Sequence, residues 1–263
     1  MTAAQNMTSI DLNADLGEGF GAWQIGNDAN LLGIVTSANI ACGGHAGDSE
    51  TMFSTLSKAR SNGVTVGAHP GYTDKVGFGR RIIPMSLAEI EHMVAAQIGS
   101  LMGVAAVVDV PIRYVKAHGA LANLAADDPD VAGAIARATR AVSRDLALLA
   151  ISGTELEPAG NAAGLQVFSE IFADRAYLPT GRLVPRSHPD AMIHDAKAAT
   201  SRLLTFLATG QMPTVDGQSI ALAAQSICVH GDSPGAVRMA EELRTGFAAA
   251  GINLVPFLAN RWP

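Results

Sequence analysis

The chain has 263 residues, of which 48% are hydrophobic and 16% are charged, and its formal net charge is −6 at pH 7. This composition excludes a largely disordered chain and favours buried strands, and the scattered Lys and Arg residues argue against nucleic-acid binding. The length fits one large α/β domain or two small ones.

The sequence also argues against a secreted or membrane-bound protein. The first residues contain no basic region followed by an apolar run, and the later apolar stretches are interpreted as too short to cross a bilayer. We therefore expect a cytoplasmic protein with no membrane contact. Two cysteines, Cys42 and Cys228, cannot build a disulfide framework and are interpreted as small buried thiols.

Short β-like runs alternate with helix-like stretches from one end of the chain to the other, as in a parallel sheet wrapped by helices. Asp48 can cap a helix that stops at Gly63, and Ser86-Leu-Ala-Glu89 is a capping box for a helix that ends near Gly103. Asp128-Pro129 and Ser233-Pro234 each predict a further helix start. The predicted strands are 9–15, 37–41, 64–67, 113–116, 146–151, 167–172, 226–230 and 252–257.

Seven or eight βα units over this length predict a closed or nearly closed (β/α) barrel rather than an open doubly wound sheet. No repeat or linker-like tract divides the chain, so we predict a single domain over residues 1–263. The segment 173–195 contains Arg175, Arg182, Arg186 and three prolines with little periodicity. It is predicted to be a long loop over one face, and such loops are often functional.

The first predicted strand carries unusual polar residues on one face. Because side chains alternate along a strand, Asp11, Asn13 and Asp15 share a face that would point into the barrel. Burying them is costly unless they bind something or are fully hydrogen-bonded. The alternative for Asp11 and Asn13 is that they only pin neighbouring strands, whereas Asp15 lies nearest the strand end where barrel chemistry occurs.

A glycine-rich turn follows this strand, with the sequence Leu16-Gly-Glu-Gly-Phe-Gly21. It lacks the Lys-Ser/Thr of a Walker A loop and the spacing of a dinucleotide fingerprint. Its glycines favour a close approach of backbone to a small ligand. Glu18 within the turn is a candidate acid, base or metal ligand.

Four of the seven histidines come at or just after a predicted strand, and each is followed within two residues by glycine: His45, His69, His118 and His230. Because parallel barrel strands end at one mouth, we expect all four to line one cavity with Asp15, and Lys116 and Asp11 to lie close by. The other three histidines are interpreted as surface or helix residues: His92, His188 and His194.

Two kinds of chemistry suit such a group, and the residues leave both open. Imidazoles with a carboxylate can hold a divalent metal that activates water, for which Asp15, His45 and His69 are the candidate ligands. Without a metal, the same groups can open an amide by acid–base catalysis, with backbone NH groups near Gly43-Gly44 stabilising an oxyanion. A thiol nucleophile is a third, weaker alternative. The candidate catalytic residues are Asp15, His69, Lys116 and His118.

Six motifs in sequence order make the chain resemble the LamB/YcsF family over about residues 10–257. The resemblance implies ATP-dependent cleavage of 5-oxo-L-proline to L-glutamate, with ATP as co-substrate of a complex with two partner subunits, B and C. It also implies a seven-stranded barrel similar to the glycoside hydrolase/deacetylase barrel. The motifs are Asp11-Leu-Asn-Ala-Asp-Leu-Gly-Glu18, Asn39-Ile-Ala-Cys-Gly-Gly-His-Ala-Gly-Asp48, Gly67-Ala-His-Pro-Gly-Tyr72 with Gly77-Phe-Gly-Arg80, Val115-Lys-Ala-His-Gly-Ala-Leu121, Phe172-Ala-Asp-Arg-Ala-Tyr177 and Val229-His-Gly-Asp232.

The chain departs from this family at Leu178-Pro-Thr180, where relatives tend to carry an acidic pair before the glycine. Two other functions stay open: a metal-dependent, deacetylase-like hydrolase, and a non-catalytic subunit that only binds substrate. A homo-oligomer is also left open. The residues predicted to bind substrate are Asp11, Asn13, Glu18, Asn39, Gly43, Gly44, Arg80 and His230.

Overall fold

Seven parallel strands form a closed ring in the computed structural model, which describes residues 8–258. The ring strands are β1 (Ser9–Leu16), β2 (Ser37–Ala41), β3 (Thr65–His69), β4 (Ile112–Val115), β5 (Ala147–Ile151), β6 (Val167–Phe172) and β9 (Ser226–His230). Each strand pairs with the next, and β1 pairs with both β2 and β9, which closes the barrel. The predicted seven-stranded (β/α) barrel is therefore confirmed.

Within the described residues, eight α-helices surround this ring, together with a short 3₁₀-helix at Pro189–Ala191. Most of them connect one barrel strand to the next, as parallel pairing requires. The helices are α1 (Asp28–Leu32), α2 (Ser49–Ser61), α3 (Leu87–Val107), α4 (Gly119–Ala125), α5 (Pro129–Val142), α6 (Leu156–Ala162), α7 (Ala196–Thr209) and α8 (Ala236–Ala249).

The predicted helix caps are mostly confirmed. The Asp48 side chain accepts a hydrogen bond from the Thr51 backbone NH at the start of α2, and Ser86 forms the predicted capping box of α3. The predicted start at Ser233-Pro234 is wrong, because α8 begins only after Gly235, whose φ of 84° is left-handed. The predicted end of α3 near Gly103 is also early, since an isolated glycine does not stop this helix.

The predicted strands agree with the ring strands to within about two residues, except at the carboxyl end of the chain. There the predicted strand 252–257 is reduced to β10 (Asn253–Leu254), which pairs with the first residues of β1. A short antiparallel hairpin, β7 (Gln211–Pro213) and β8 (Ser219–Ala221), was not predicted. Its three-residue strands are too short to give a period-two pattern.

The two faces of β1 show how the core is divided. Ile10, Leu12 and Ala14 are buried in the apolar layer between the strands and the helices. The alternate residues of β1 are buried too, but they are polar and point into the barrel. The barrel interior is therefore a polar layer within an apolar shell, as the alternation in β1 predicts.

Helix α3 is, among the residues that the structure describes, the one helix long and apolar enough to cross a membrane by length and composition. The prediction that every apolar stretch is too short is therefore wrong for this helix. Core helices pass the same test, and α3 packs against α2 and α5 and buries Ile90, Val94 and Ile98.

The predicted long loop between β6 and α7 is confirmed, and it closes one side of the barrel mouth. Two isolated bridges, Arg175 with Met192 and Tyr177 with Leu183, fold the loop back on itself. Arg202 in α7 anchors its first residues by donating to the backbone carbonyls of Phe172, Ala173 and Arg175 at 2.8–2.9 Å. The loop therefore has a defined conformation over the carboxyl ends of the strands.

Candidate active site

A cavity of about 460 Å³ lies at the carboxyl ends of the barrel strands, where barrel active sites are found. One wall comes from strand ends and the opposite wall from the loop between β6 and α7. Cationic side chains outnumber carboxylates along its lining, which favours an anionic ligand. The ionisable residues of the lining are Asp15, His69, Arg80, Lys116, His118, Asp127, Glu170, Arg175, Arg182, Arg186 and His230.

Asp11 lies below this cavity and does not line it. One carboxylate oxygen accepts hydrogen bonds from the hydroxyls of Thr36 and Ser37 at 2.6 Å, and the other accepts one from Ser226. Burial raises the pKa of Asp11 to about 6, against the opposing effect of these hydroxyls. These contacts join β1 to the start of β2 and to β9, which is the strand-pinning arrangement.

Asn13 and Asn39 form the next layer of the barrel interior, and neither lines the cavity. The Asn13 amide donates to Ser226 Oγ at 2.6 Å, and the Asn39 amide donates to Asn13 Oδ1 at 2.7 Å and to Asp15 Oδ1 at 2.8 Å. The Tyr114 hydroxyl donates to Asn39 Oδ1 at 2.7 Å. Asn39 therefore supports Asp15 from below, and Asn13 holds Asn39.

Lys116 is a buried cation at the floor of the cavity. Its ammonium group lies 2.9 Å from Asp15 Oδ1, 3.1 Å from Glu170 Oε2 and 3.0 Å from Cys228 Sγ. Burial alone would lower the pKa of Lys116, but the charges around it, above all that of Asp15, raise the pKa well above its usual value. Lys116 is therefore charged at neutral pH and fixed in position.

The two carboxylates beside Lys116 behave differently. Burial would raise the pKa of Asp15, but the charges of His69 and Lys116 outweigh it and hold the pKa well below its ordinary value. Burial raises the pKa of Glu170 despite Lys116, and its Oε1 atom has no hydrogen-bond partner in the described structure. Asp15 is therefore the fixed negative charge of the pair, whereas burial disfavours the ionised form of Glu170.

A group of four buried side chains, Glu18, His45, His69 and His118, lies at the cavity wall and is here termed the histidine cluster. One ligand atom from each lies within 4.8 Å of the other three, so the cluster could hold a metal ion. His45 Nε2 is 3.2 Å from Glu18 Oε1, and His118 Nδ1 is 3.0 Å from His69 Nε2. The rings of His45 and His118 stack with 3.6 Å between centroids.

Backbone carbonyls fix two rings of the cluster. His69 Nδ1 donates to the carbonyl oxygen of Lys116 at 2.8 Å, and His118 Nε2 donates to that of Phe78 at 2.9 Å. A carbonyl only accepts, so these nitrogens carry the protons. His69 Nε2 and His118 Nδ1 are left facing each other.

Burial also sets the ionisation of the cluster. Burial and then the neighbouring imidazoles lower the pKa of His118 well below its usual value, and burial, followed by His69, does the same for His45. Burial, with the charge of Asp15 next, raises the pKa of Glu18 well above its ordinary value. The environment therefore favours neutral imidazoles at His45 and His118 and opposes a free carboxylate at Glu18.

Two motif glycines make room for the stacked rings. A Cβ on Gly79, whose φ is 62°, would lie 2.7 Å from His45 Cβ, and one on Gly71 would lie 3.0 Å from His45 Nδ1 and 3.1 Å from His118 Cβ. These distances are shorter than ordinary van der Waals contacts, so a Cβ at either position would crowd the rings. The glycines of these motifs therefore serve the packing of the histidine cluster.

His230 completes the strand-end side of the cavity. It pairs with Asp15 in the register of β9 and β1, and its Nδ1 lies 2.9 Å from Asp174 Oδ1. Its ring stacks on Phe172. Arg80 also lines the cavity and is held by a 2.6 Å contact with Asp232.

The loop wall contributes three arginines. Arg175 is only 4% exposed, and one of its terminal nitrogens donates to the Val184 carbonyl at 2.6 Å. Its Nε atom has no partner within the described structure, and burial lowers its pKa to about 10, which leaves it charged at neutral pH. Arg182 is bound to Asp127 at 2.5 Å and to the Gly153 carbonyl. Arg186 also lines the cavity.

Several residues that the sequence predicts to act at the site do not line the cavity. Gly43 and Gly44 do not line it: the Gly43 NH donates to the Ala46 carbonyl at 2.8 Å, and Gly44 packs against Gln97. Burial raises the pKa of Cys42 to about 12, and burial, with Asp15 next, raises the pKa of Cys228 well above its ordinary value. Both cysteines are thiols at neutral pH, which argues against a thiolate nucleophile.

The predicted convergence of strand-end residues is confirmed for all but one of them. Asp15, His69, His118 and His230 line one cavity with Lys116, whereas His45 lies behind His118 and does not line it. Sequence reasoning missed Glu170 and Asp174. The sequence contained a signal for Glu170, which is an acidic residue within an otherwise apolar strand. Because Glu170 lies two residues before Phe172, the two side chains share one face of that strand.

Seven parallel strands around a charged cavity, with a cluster of buried histidines beside it, define a (β/α)-barrel protein equipped for acid–base or metal-assisted chemistry. The LamB/YcsF family model matches residues 10–261, and the chain belongs to this family.

Similar proteins agree with this assignment over almost the whole chain. A protein from Chloroflexus aggregans, named as the A subunit of 5-oxoprolinase, is 52% identical over 94% of this chain and 98% of its own length. One of the same name from Rhodopseudomonas palustris is 48% identical over 95% and 99%. The crystal structure of a lactam utilization protein from Thermus thermophilus superposes with a TM-score of 0.89 at 39% identity, covering 94% of this chain and 99% of that one.

Proposed function

We propose that this chain is the A subunit of an ATP-dependent 5-oxoprolinase, which cleaves the lactam 5-oxo-L-proline to L-glutamate together with subunits B and C. The observation that carries the proposal is the likeness, over nearly the whole length, to proteins named as the A subunit of 5-oxoprolinase. The cavity provides independent support, because its shape and charge suit a small cyclic amide with one carboxylate.

The cavity has recognition groups that match this substrate. A 5-oxoproline anion presents a carboxylate, a ring NH and a carbonyl oxygen. Arg175 and Glu170 both line the cavity. The Arg175 guanidinium is proposed to bind the carboxylate, and the Glu170 carboxyl group is proposed to accept the ring NH.

The proposed catalytic residues are Asp15, His69, Lys116 and His118, which meet at the cavity floor. Lys116 already directs its NH groups at Asp15 and Glu170, so it acts as a fixed positive charge near the developing oxyanion. Asp15 positions Lys116 and lies 3.4 Å from His69 Nε2. His69 and His118 then contribute either by moving a proton or by holding an ion at the cavity wall.

In this proposal, the ATP-dependent activation of the substrate relies on the partner subunits. No Walker A loop or kinase-type glycine-rich loop occurs in the sequence, so subunits B and C are expected to supply at least part of the activation. The loop 173–195 is the proposed docking surface, because it forms the outer wall of the cavity and exposes residues around His188. A cytoplasmic location fits an ATP-consuming metabolic enzyme.

Reconstitution tests this function directly. The purified chain, subunits B and C, ATP and 5-oxoproline are mixed, and glutamate and phosphate are measured against mixtures that omit one component. We expect ATP-dependent glutamate formation only from the complete mixture. Full activity from this chain alone would show that the proposed division of labour is wrong, and hydrolysis of acetylated sugars instead would favour the deacetylase alternative.

The recognition of the carboxylate is tested in the same assay. Replacing Arg175 by methionine should raise KM for 5-oxoproline by about tenfold or more while lowering kcat less, because a binding contact is lost. Arg244→Met serves as the matched control, since Arg244 lies on α8 and is exposed. An unchanged KM in folded Arg175→Met would remove Arg175 from substrate recognition.

A further inference from the structure

We propose that the histidine cluster binds one divalent transition-metal ion, with Glu18, His45, His69 and His118 as its four protein ligands. The proposal concerns these residues and does not depend on the identity of the substrate. Three imidazoles and one carboxylate suit a borderline ion such as Zn²⁺ or Co²⁺ and are a poor set for Mg²⁺ or Ca²⁺, which prefer oxygen.

The spacing of the donor atoms fits such an ion. Tetrahedral Zn²⁺ with bonds of about 2.0–2.1 Å places neighbouring ligand atoms roughly 3.3–3.4 Å apart. In the cluster, Glu18 Oε1 lies 3.2 Å from His45 Nε2 and 3.6 Å from His118 Nδ1, and the contact between His118 Nδ1 and His69 Nε2 is 3.0 Å. Three of the six donor separations are therefore close to the required distance, and all four donors lie within 4.8 Å of one another.

The hydrogen bonds of the rings direct lone pairs to that point. With the far nitrogens of His69 and His118 donating to backbone carbonyls, the near nitrogens are two acceptors that face each other. Two facing lone pairs repel unless a proton or a cation lies between them. A carbonyl bound to the far nitrogen is the usual outer contact of a histidine that binds metal.

A shared proton would explain only part of this arrangement. A proton on His69 Nε2 would satisfy the contacts with His118 and Asp15, and one on His45 Nε2 would satisfy the contact with Glu18, but the 3.6 Å approach of Glu18 to His118 Nδ1 would remain. His45 Nδ1 has no partner in the described structure, and Glu18 is buried with histidine nitrogens as its near neighbours. A single cation would engage all four side chains together once the His45 ring turns out of its parallel stack on His118, because an imidazole nitrogen binds metal in the plane of its ring.

The structure replaces one of the ligands predicted from the sequence. Asp15 was expected to bind a metal with His45 and His69, but its Oδ1 atom already receives Lys116 and Asn39. Glu18 and His118 take its place among the converging donors. Because His69 and His118 also line the cavity, an ion bound here would be able to polarise a carbonyl or a water at the wall.

Metal binding by the full-length chain tests the proposal without any assay of activity. The protein is stripped with a chelator, reloaded with Zn²⁺ or Co²⁺, and measured by elemental analysis and titration calorimetry. We expect about one equivalent per chain, a visible spectrum for the Co²⁺ form, and a rise in Tm of roughly 5–10 °C at a hundredfold excess over Kd.

Matched variants identify the ligands. Glu18→Gln and His45→Ala should weaken binding by at least about a hundredfold, whereas Asp15→Asn and His230→Ala should stay within about tenfold of wild type. Equal affinity in all four folded variants would overturn the assignment, and so would a strong loss confined to Asp15→Asn.

If a variant does not fold, measurements on the wild-type protein alone can still refute the proposal. A folded wild-type chain that takes up neither Zn²⁺ nor Co²⁺ after stripping, and contains no divalent ion when produced in metal-supplemented medium, would overturn it. In that case the cluster holds a shared proton.

Discussion

Replacing Lys116 by methionine should destabilise the protein strongly, because it removes the charge that compensates two buried carboxylates. Methionine has a similar length and no charge, so packing is largely kept. Asp15 and Glu170 lie 2.9 Å and 3.1 Å from the ammonium group, and both are at most 4% exposed. Removing one partner of a buried ion pair costs about 3–5 kcal/mol, which is a large share of the 5–15 kcal/mol that stabilises a typical domain.

The loss should depend on pH with a definite sign. In wild type the pKa of Asp15 is held low by His69 and Lys116 against the effect of burial, so its charge contributes stability above about pH 4, and acidification through the folded-state pKa removes that contribution. Without Lys116, burial raises the pKa of both carboxyl groups, so each ionisation costs stability as the pH rises. The deficit of Lys116→Met should therefore be smaller near pH 4 than near pH 8.

Urea unfolding at pH 4, 6 and 8 measures this difference. Lys197→Met, at an exposed position of α7, is the matched control and should change the free energy of unfolding by less than about 0.5 kcal/mol. The double variant Lys116→Met/Glu170→Gln should recover part of the loss, because one unpaired carboxylate is removed. A loss below about 1 kcal/mol at pH 8, or one that does not vary with pH, would refute the reasoning.

Two further predictions separate structural from functional polar residues. Asp11→Asn should leave turnover within about fivefold of wild type. The folded-state pKa of Asp11 is raised to about 6, so its ionisation lowers the stability of wild type as the pH rises from 4 to 8. Over that range, the free energy of unfolding of the variant should rise by about 3 kcal/mol relative to wild type, as measured by urea unfolding. Gly79→Ala should cost about 1–3 kcal/mol more than Gly164→Ala and lower turnover, because both glycines have positive φ but only the Cβ at position 79 meets His45 and His118. Equal costs for the two alanine variants would contradict the packing role of Gly79.

The strand pattern and the barrel were predictable because local chemistry and global topology agree in this chain. Period two in β1 identified the inward face of Asp11 and Asp15, and strand-end positions identified His69, His118 and His230. The sequence order of a parallel barrel brings such positions to one mouth without any knowledge of side-chain packing.

What the sequence could not provide is depth along the barrel and orientation of side chains. Asp11 and Asp15 share a face, but only the second reaches the cavity, because it lies a further four residues along the strand. His45 and His118 follow equivalent strands, yet stacking places His45 behind His118. Such differences of a few ångströms arise from rotamers and from the glycines around the rings, which no periodicity encodes.

The most direct test of the central claim compares two histidine variants in the reconstituted 5-oxoprolinase. His118 lines the cavity and contacts His69, whereas His92 is an exposed residue of α3. With 5-oxoproline and ATP at saturation, His118→Ala should lower kcat by about a hundredfold or more while its circular dichroism spectrum is retained, and His92→Ala should match wild type. Wild-type kcat in folded His118→Ala would contradict the claim that this cavity carries out the chemistry.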